Sequence, residues 1–182
     1  MPLSELEAYA YTGGSSTGSR GPGGYGAVLA WDGKTVEVSG GEPDTTNLRM
    51  ELTAACVALE TIGGGRVVTV YSDASYLVNG MRRGWHEGWR ENGWVNGRGG
   101  PVANRDLWER LLGAAGRHRE VRWRKVKGHQ KGGGAHRAGN DRADELAVAA
   151  KRRAGADGGS GLGSPGEQAA PGSAGEVSRQ RE

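Results

Sequence analysis

The chain has 182 residues and a mass of 19.1 kDa, long enough for one well-formed core, and 35% of it is hydrophobic, with six Trp, five Tyr and no Phe. No run of about 18 or more apolar residues is present and no basic cluster precedes an apolar stretch near the N-terminus, so we expect a cytoplasmic, monomeric protein with no membrane association. The net charge is only +3, but the pI is about 9.2 and the cations gather in Arg82-Arg83, Arg117 to Lys131 and Lys151-Arg152-Arg153, a distribution that suits a polyanionic partner.

In chain order, Glu5 to Thr12 alternates around Leu6, Ala8 and Ala10 and reads as a strand that ends in the loop Gly13 to Gly18. Tyr25 to Trp31 and Lys34 to Ser39, joined by Asp32-Gly33, carry a strong hairpin signal. Thr45-Thr46-Asn47 can cap a helix whose Leu48, Leu52, Ala55, Leu59 and Ile62 keep a helical period, and Gly63-Gly64-Gly65 ends it. A lone Cys56 falls inside this helix, as a small core residue. The β-branched run Arg66 to Ser72 reads as a buried parallel strand crossing back under the helix. Helical patches follow at Ser75 to Met81, Arg83 to Arg90 and Val102 to Ala115, then an alternating strand from Val121 to Lys127 and a last helix from Asn140 to Arg153. Residues 1–153 therefore form one expected domain. Residues 154–182 are mostly Gly, Ser, Ala, Pro, Gln and Glu and are expected to be a disordered tail.

Three carboxylates stand at informative places: Glu51 on the first long helix, Asp73 just past the parallel strand and Asp144 early in the last helix. Each alone has an ordinary explanation, as a solvated helix charge, a helix N-cap and a first-turn acidic residue. Together they sit in text that resembles the type 1 ribonuclease H family. The matching islands are Tyr11-Thr12-Gly13-Gly14-Ser15, Gly21-Pro22-Gly23-Gly24-Tyr25-Gly26, Thr46-Asn47 before Arg49-Met50-Glu51-Leu52, Tyr71-Ser72-Asp73, Asp106-Leu107-Trp108, Val126-Lys127-Gly128-His129 and Asp144-Glu145-Leu146-Ala147. They follow the family order from about Glu5 to Ala150.

The resemblance implies an α/β ribonuclease H-like fold, a five-stranded mixed sheet flanked by helices. It also implies an endonuclease that cuts the RNA strand of RNA–DNA hybrids with Mg²⁺ or Mn²⁺. Residue by residue, it makes Glu51, Asp73 and Asp144 metal ligands and His129 a catalytic histidine, with His136 a competitor for that role. Thr46 and Asn104 would seat a DNA-strand phosphate, and Asn47 would reach the minor groove. Arg82, Arg83, Trp85 and Arg90, with Trp89, Trp94 and Arg98 nearby, would form a basic handle for the hybrid.

Gly13 departs from the pattern. It occupies the position of the family's first aspartate, a lost ligand position, and glycine offers no donor. Glu42, Asp44 and Asp141 are weak substitutes. Two functional readings follow: a ribonuclease H with weakened or Mn²⁺-favoured activity, and a catalytically silent hybrid-binding module of the same fold.

Overall fold

The computed structural model describes residues 2–127, 134–158 and 176–179. In chain order these form α1 (Leu3–Leu6), β1 (Glu7–Ser16), β2 (Gly21–Trp31), β3 (Lys34–Thr45), α2 (Asn47–Thr61), β4 (Val67–Ser72), α3 (Ser75–Arg83), α4 (Trp85–Glu91), α5 (Arg105–Gly116), β5 (Glu120–Lys125), α6 (Ala135–Gly158) and β6 (Glu176–Arg179). The sheet order is β5-β4-β1-β2-β3-β6. β1, β2 and β3 pair antiparallel, whereas β4 runs parallel to both β1 and β5. The expected five-stranded mixed sheet is present, with one short strand added beside β3.

The β2–β3 hairpin turns at Asp32-Gly33, whose φ values of 51° and 71° give the left-handed pair that lets two residues join twisted strands. Thr46 caps α2: its hydroxyl accepts from the Arg49 N–H at 3.2 Å. Alternation splits the central strands into two faces. Ala8, Ala10 and Thr12 of β1 and Val68, Val70 and Ser72 of β4 are buried beneath α2 and α5, around Leu52, Leu59 and Trp108. The other face carries Tyr9, Tyr11 and Gly13, and α6 lies across it, over β1, β2 and β3.

Several expectations shift. The strand expected from Glu5 instead starts at Glu7, because Leu3–Leu6 forms one helical turn, and it continues through Gly13 to Ser16 because β2 pairs with it that far. Val102 precedes α5 rather than starting it; Asn104, at φ 60°, is the N-cap. The last helix starts five residues before Asn140 and runs to Gly158, past the expected boundary at Arg153, since Ala154 still lies half-buried on the face packed at Gly41. Within the expected disordered tail, Glu176–Arg179 pairs antiparallel with Val36 to Ser39, along the edge of β3 that no other described strand covers. The rest of the tail lies outside the described residues.

The approach of α6 to the sheet rests on Gly24 and Gly26. A Cβ on Gly24 would collide with the Ala147 carbonyl, and one on Gly26 with the Ala143 carbonyl, both helix backbone atoms that cannot swing aside. Gly26→Ala should therefore cost about 1–3 kcal/mol by overpacking, a fall of roughly 3–10 °C in melting temperature by calorimetry. Deleting residues 159–182 should cost less than about 3 °C, because backbone pairing to one exposed edge is all that the described part of the segment supplies.

Candidate active site

Two consecutive residues of β1 build the site. Their positions alternate across the strand, so Gly13 faces α6 and Gly14 faces α2. A Cβ on Gly14 would collide with the Glu51 backbone nitrogen, and the Gly14 N–H donates to the Glu51 carboxylate. A Cβ on Gly13 would lie 2.5 Å from Asp144 Oδ1, with the Asp144 nitrogen at 3.2 Å. The Asp144 carboxylate thus leans into the room that a side chain at position 13 would use. Its Oδ2 is 3.5 Å from the buried Asn140 Nδ2 on the preceding helical turn.

Asp73 follows β4 directly. It does not cap α3: the N-cap is Ala74, whose N–H is taken by the Ser72 hydroxyl at 3.1 Å. Glu51, Asp73 and Asp144 line one open cleft of about 940 Å³, with Asn47 one turn before Glu51 on α2. Glu51 is no solvated helix charge: it is 5% exposed, and its Oε2 has no hydrogen-bond partner among the described residues. Burial, then the neighbouring Asp73 and Asp144, push its carboxyl well above the ordinary range. Among the described residues no three His, Cys, Asp or Glu side chains gather tightly enough to enclose one metal ion. The oxygen donors and the orphaned Glu51 Oε2 nevertheless fit a hard divalent cation, which commonly takes one or two carboxylates and fills its shell with water.

The other expected residues divide into groups. Thr46 and Asn104 are joined through Arg49, next in the chain but one to the cleft residue Asn47: its backbone N–H donates to Thr46 Oγ1, its Nη1 donates to Asn104 Oδ1 at 3.1 Å, and its guanidinium makes two bonds to Asp106, at 3.1 and 2.9 Å. Arg49 and Asp106 were visible in the matching islands, but nothing in the sequence paired them across 57 positions. Arg82, Arg83 and Arg90 are exposed on α3 and α4, away from the carboxylates. Trp85 is half-buried against Tyr76 and Trp89, and Trp89 and Tyr76 pack on Trp108 of α5, so the handle stands on an aromatic base. Trp94 is buried under the Arg105 guanidinium. His129 lies outside the described residues. His136 is engaged elsewhere: Tyr11 Oη is 3.0 Å from its Nδ1 and its ring stacks on Tyr71 at 4.4 Å.

The buried carboxylate has a stability consequence. Because the Glu51 pKa is higher folded than unfolded, the folded state holds more protons above the ordinary value of about 4.5, and stability falls as pH rises from there through the folded pKa. Glu51→Gln should then raise the melting temperature in EDTA near neutral pH by more than about 2 °C. Added Mg²⁺ should stabilise the parent but not this variant, as scanning calorimetry would read directly.

The model of the RNase H family matches residues 6–152. A ribonuclease H of Moorella thermoacetica is 49% identical over 144 residues, 79% of this chain and 91% of the relative. Among solved structures, LC9-RNase H1, described as a type 1 RNase H with the type 2 active-site motif, superposes with a TM-score of 0.69 at 33% identity, covering 81% of this chain and 73% of the other. LC11-RNase H1, solved in complex with an RNA/DNA hybrid, gives 0.58 at 25% identity, covering 81% and 98%. With the sheet order, the flanking helices and a match spanning nearly all of the described core, the chain belongs to the ribonuclease H family.

Proposed function

We propose that this protein is an endonuclease that hydrolyses the RNA strand of RNA–DNA hybrids, with Glu51, Asp73 and Asp144 as its catalytic carboxylates. The observation that carries the reading is the cleft that the three carboxylates line together, with Glu51 Oε2 buried and, among the described residues, unpartnered. Ribonuclease H relatives and a hybrid-bound neighbour of the same fold support the substrate class. The protein would act as a cytoplasmic monomer.

Glu51, Asp73 and Asp144 would hold Mg²⁺ or Mn²⁺. When bound, such an ion makes a water nucleophilic near neutral pH and stabilises the leaving oxygen of a phosphodiester. The chain's own residues position the substrate. Asn47, beside Glu51, would contact the minor groove. Thr46 and Asn104, clamped by Arg49, would seat a DNA-strand phosphate. Arg82, Arg83, Trp85 and Arg90 would follow the backbone further along, and a histidine at 129 would assist proton transfer or product release.

Gly13 limits the reaction. Three carboxylates supply less charge and a less fixed geometry than the four of the family pattern, so a reduced, Mn²⁺-favoured rate is expected. The silent hybrid-binding reading rests on the same residue, and on the Asp144 carboxylate leaning into its space.

Cleavage of an end-labelled hybrid with Mg²⁺ and Mn²⁺ in parallel separates the readings. Gly13→Asp should raise the Mg²⁺-dependent rate by at least about 10²-fold, some 2.7 kcal/mol of barrier, once Asp144 rotates out of the way. Asp73→Asn in that background should abolish cleavage. A parent without detectable activity in either metal, yet rescued by the aspartate, identifies the silent module; a variant still silent refutes the ligand assignment.

A further inference from the structure

We propose that Arg152, at the far end of the cleft, binds a phosphate of the RNA strand a few nucleotides from the scissile bond. This rests on the hybrid-cleaving reading above and adds a contact on α6, the helix that supplies Asp144.

The cleft-facing stripe of α6 carries Arg137, Asp141, Asp144, Glu145, Val148 and Arg152 at helical spacing. Its charge pattern is a cation, then carboxylates, then a short apolar interval, then a second cation. The first cation is committed locally, since Arg137 pairs with Asp141 at 3.4 Å. Arg152 is exposed, and among the described residues its side chain has no ion pair or hydrogen bond. Its neighbour anchors this part of the helix: Lys151 Nζ donates to Ser15 Oγ at 3.0 Å, fixing the turn against the end of β1, and Ser15 lines the same cleft.

Spacing and direction favour the RNA strand. Eight residues of helix separate Asp144 from Arg152, about 12 Å along the axis, the rise of three to four nucleotides of one strand. The strand that is cut must cross the carboxylates, and Arg152 continues the line of Asp144 on one rigid helix. The groups assigned to the DNA strand, Thr46 and Asn104, belong to other elements, as the N-caps of α2 and α5, and neither lies on α6. Beyond Asp144 and Glu145 the stripe presents only Val148 and Ala149 before Arg152, so this last stretch of the path carries no negative charge. A guanidinium at its end matches the geometry of a phosphodiester oxygen pair.

The test is fluorescence anisotropy of the full chain with a labelled hybrid in EDTA, where no hydrolysis occurs. Arg152→Ala should weaken binding about 3- to 10-fold and lower the salt dependence by about one ionic contact, with Arg152→Lys between the two. Neutral methylphosphonate linkages in the centre of the RNA strand should weaken the parent but add little to Arg152→Ala; the same linkages in the DNA strand should weaken both proteins alike. Parent-like binding by Arg152→Ala, or coupling to the DNA strand instead, overturns the proposal. A parent that does not bind hybrid at all is a different failure, that of the hybrid-cleaving reading itself. Circular dichroism would verify folding of the variants, in which only an exposed side chain changes.

Discussion

The end of β1 is squeezed between two helices, and the whole site depends on that compression. Gly13 faces α6 and Gly14 faces α2, each so close that a Cβ would meet the opposing residue, Asp144 on one side and the Glu51 backbone on the other. Two consecutive strand residues thereby hold two carboxylates from helices on opposite faces of the sheet within one cleft. β4, paired in parallel beside β1, delivers Asp73 to the same end. The compression is sustained further along by Gly24 and Gly26 of β2, where the backbone of α6 lies against the strand.

Bringing negative groups together has an electrostatic cost, and the cleft carries it openly. Glu51 is buried, receives one backbone donor from Gly14, and faces two further carboxylates. The family meets such a cost with divalent cations, and at this site the same charge that disfavours the empty protein favours cation binding. Gly13 lowers the number of carboxylates but not the crowding, because Asp144 leans into the vacated room. Near the start of α2, Arg49 joins that helix to α5 through Asp106 and Asn104, so the first turns of α2, which carry Asn47 and Glu51, are held by an ion pair as well as by core packing. This pair is part-exposed, and its value lies more in geometry than in stability.

Much of this was legible in the residues. Asp32-Gly33 specified its hairpin because both turn positions need positive φ, and Thr46 specified the start of α2 because its hydroxyl satisfies a free N–H. Those are local interactions, closed within a few residues. The misreadings were non-local. Gly13 to Ser16 reads as a loop by composition but is strand, since Gly23 to Gly26 pair with it. Residues 135–139, set between Gly134 and Gly139, are too short a stretch to read as a helix by themselves, yet they are helical, with His136 stacked on Tyr71 and Gly139 against Tyr11. Glu176–Arg179 has no periodicity of its own and pairs only because β3 offers an edge.

Hydrophobic period and turn residues, which are properties of neighbours along the chain, marked most of the elements in the sequence itself, and the family resemblance of its ordered motifs implied the fold class and proposed Glu51, Asp73 and Asp144 as the candidate carboxylates. Only the tertiary structure decided that Glu51 is buried and unpartnered, that Asp144 leans into the space beside Gly13, that Arg49 clamps Asp106 and Asn104, and that Arg152 continues the line of the carboxylates. Burial, charge proximity and cleft direction depend on which helix lies against which face of the sheet, and that is fixed by close packing between segments far apart along the chain, such as Gly14 with Glu51 and Gly13 with Asp144.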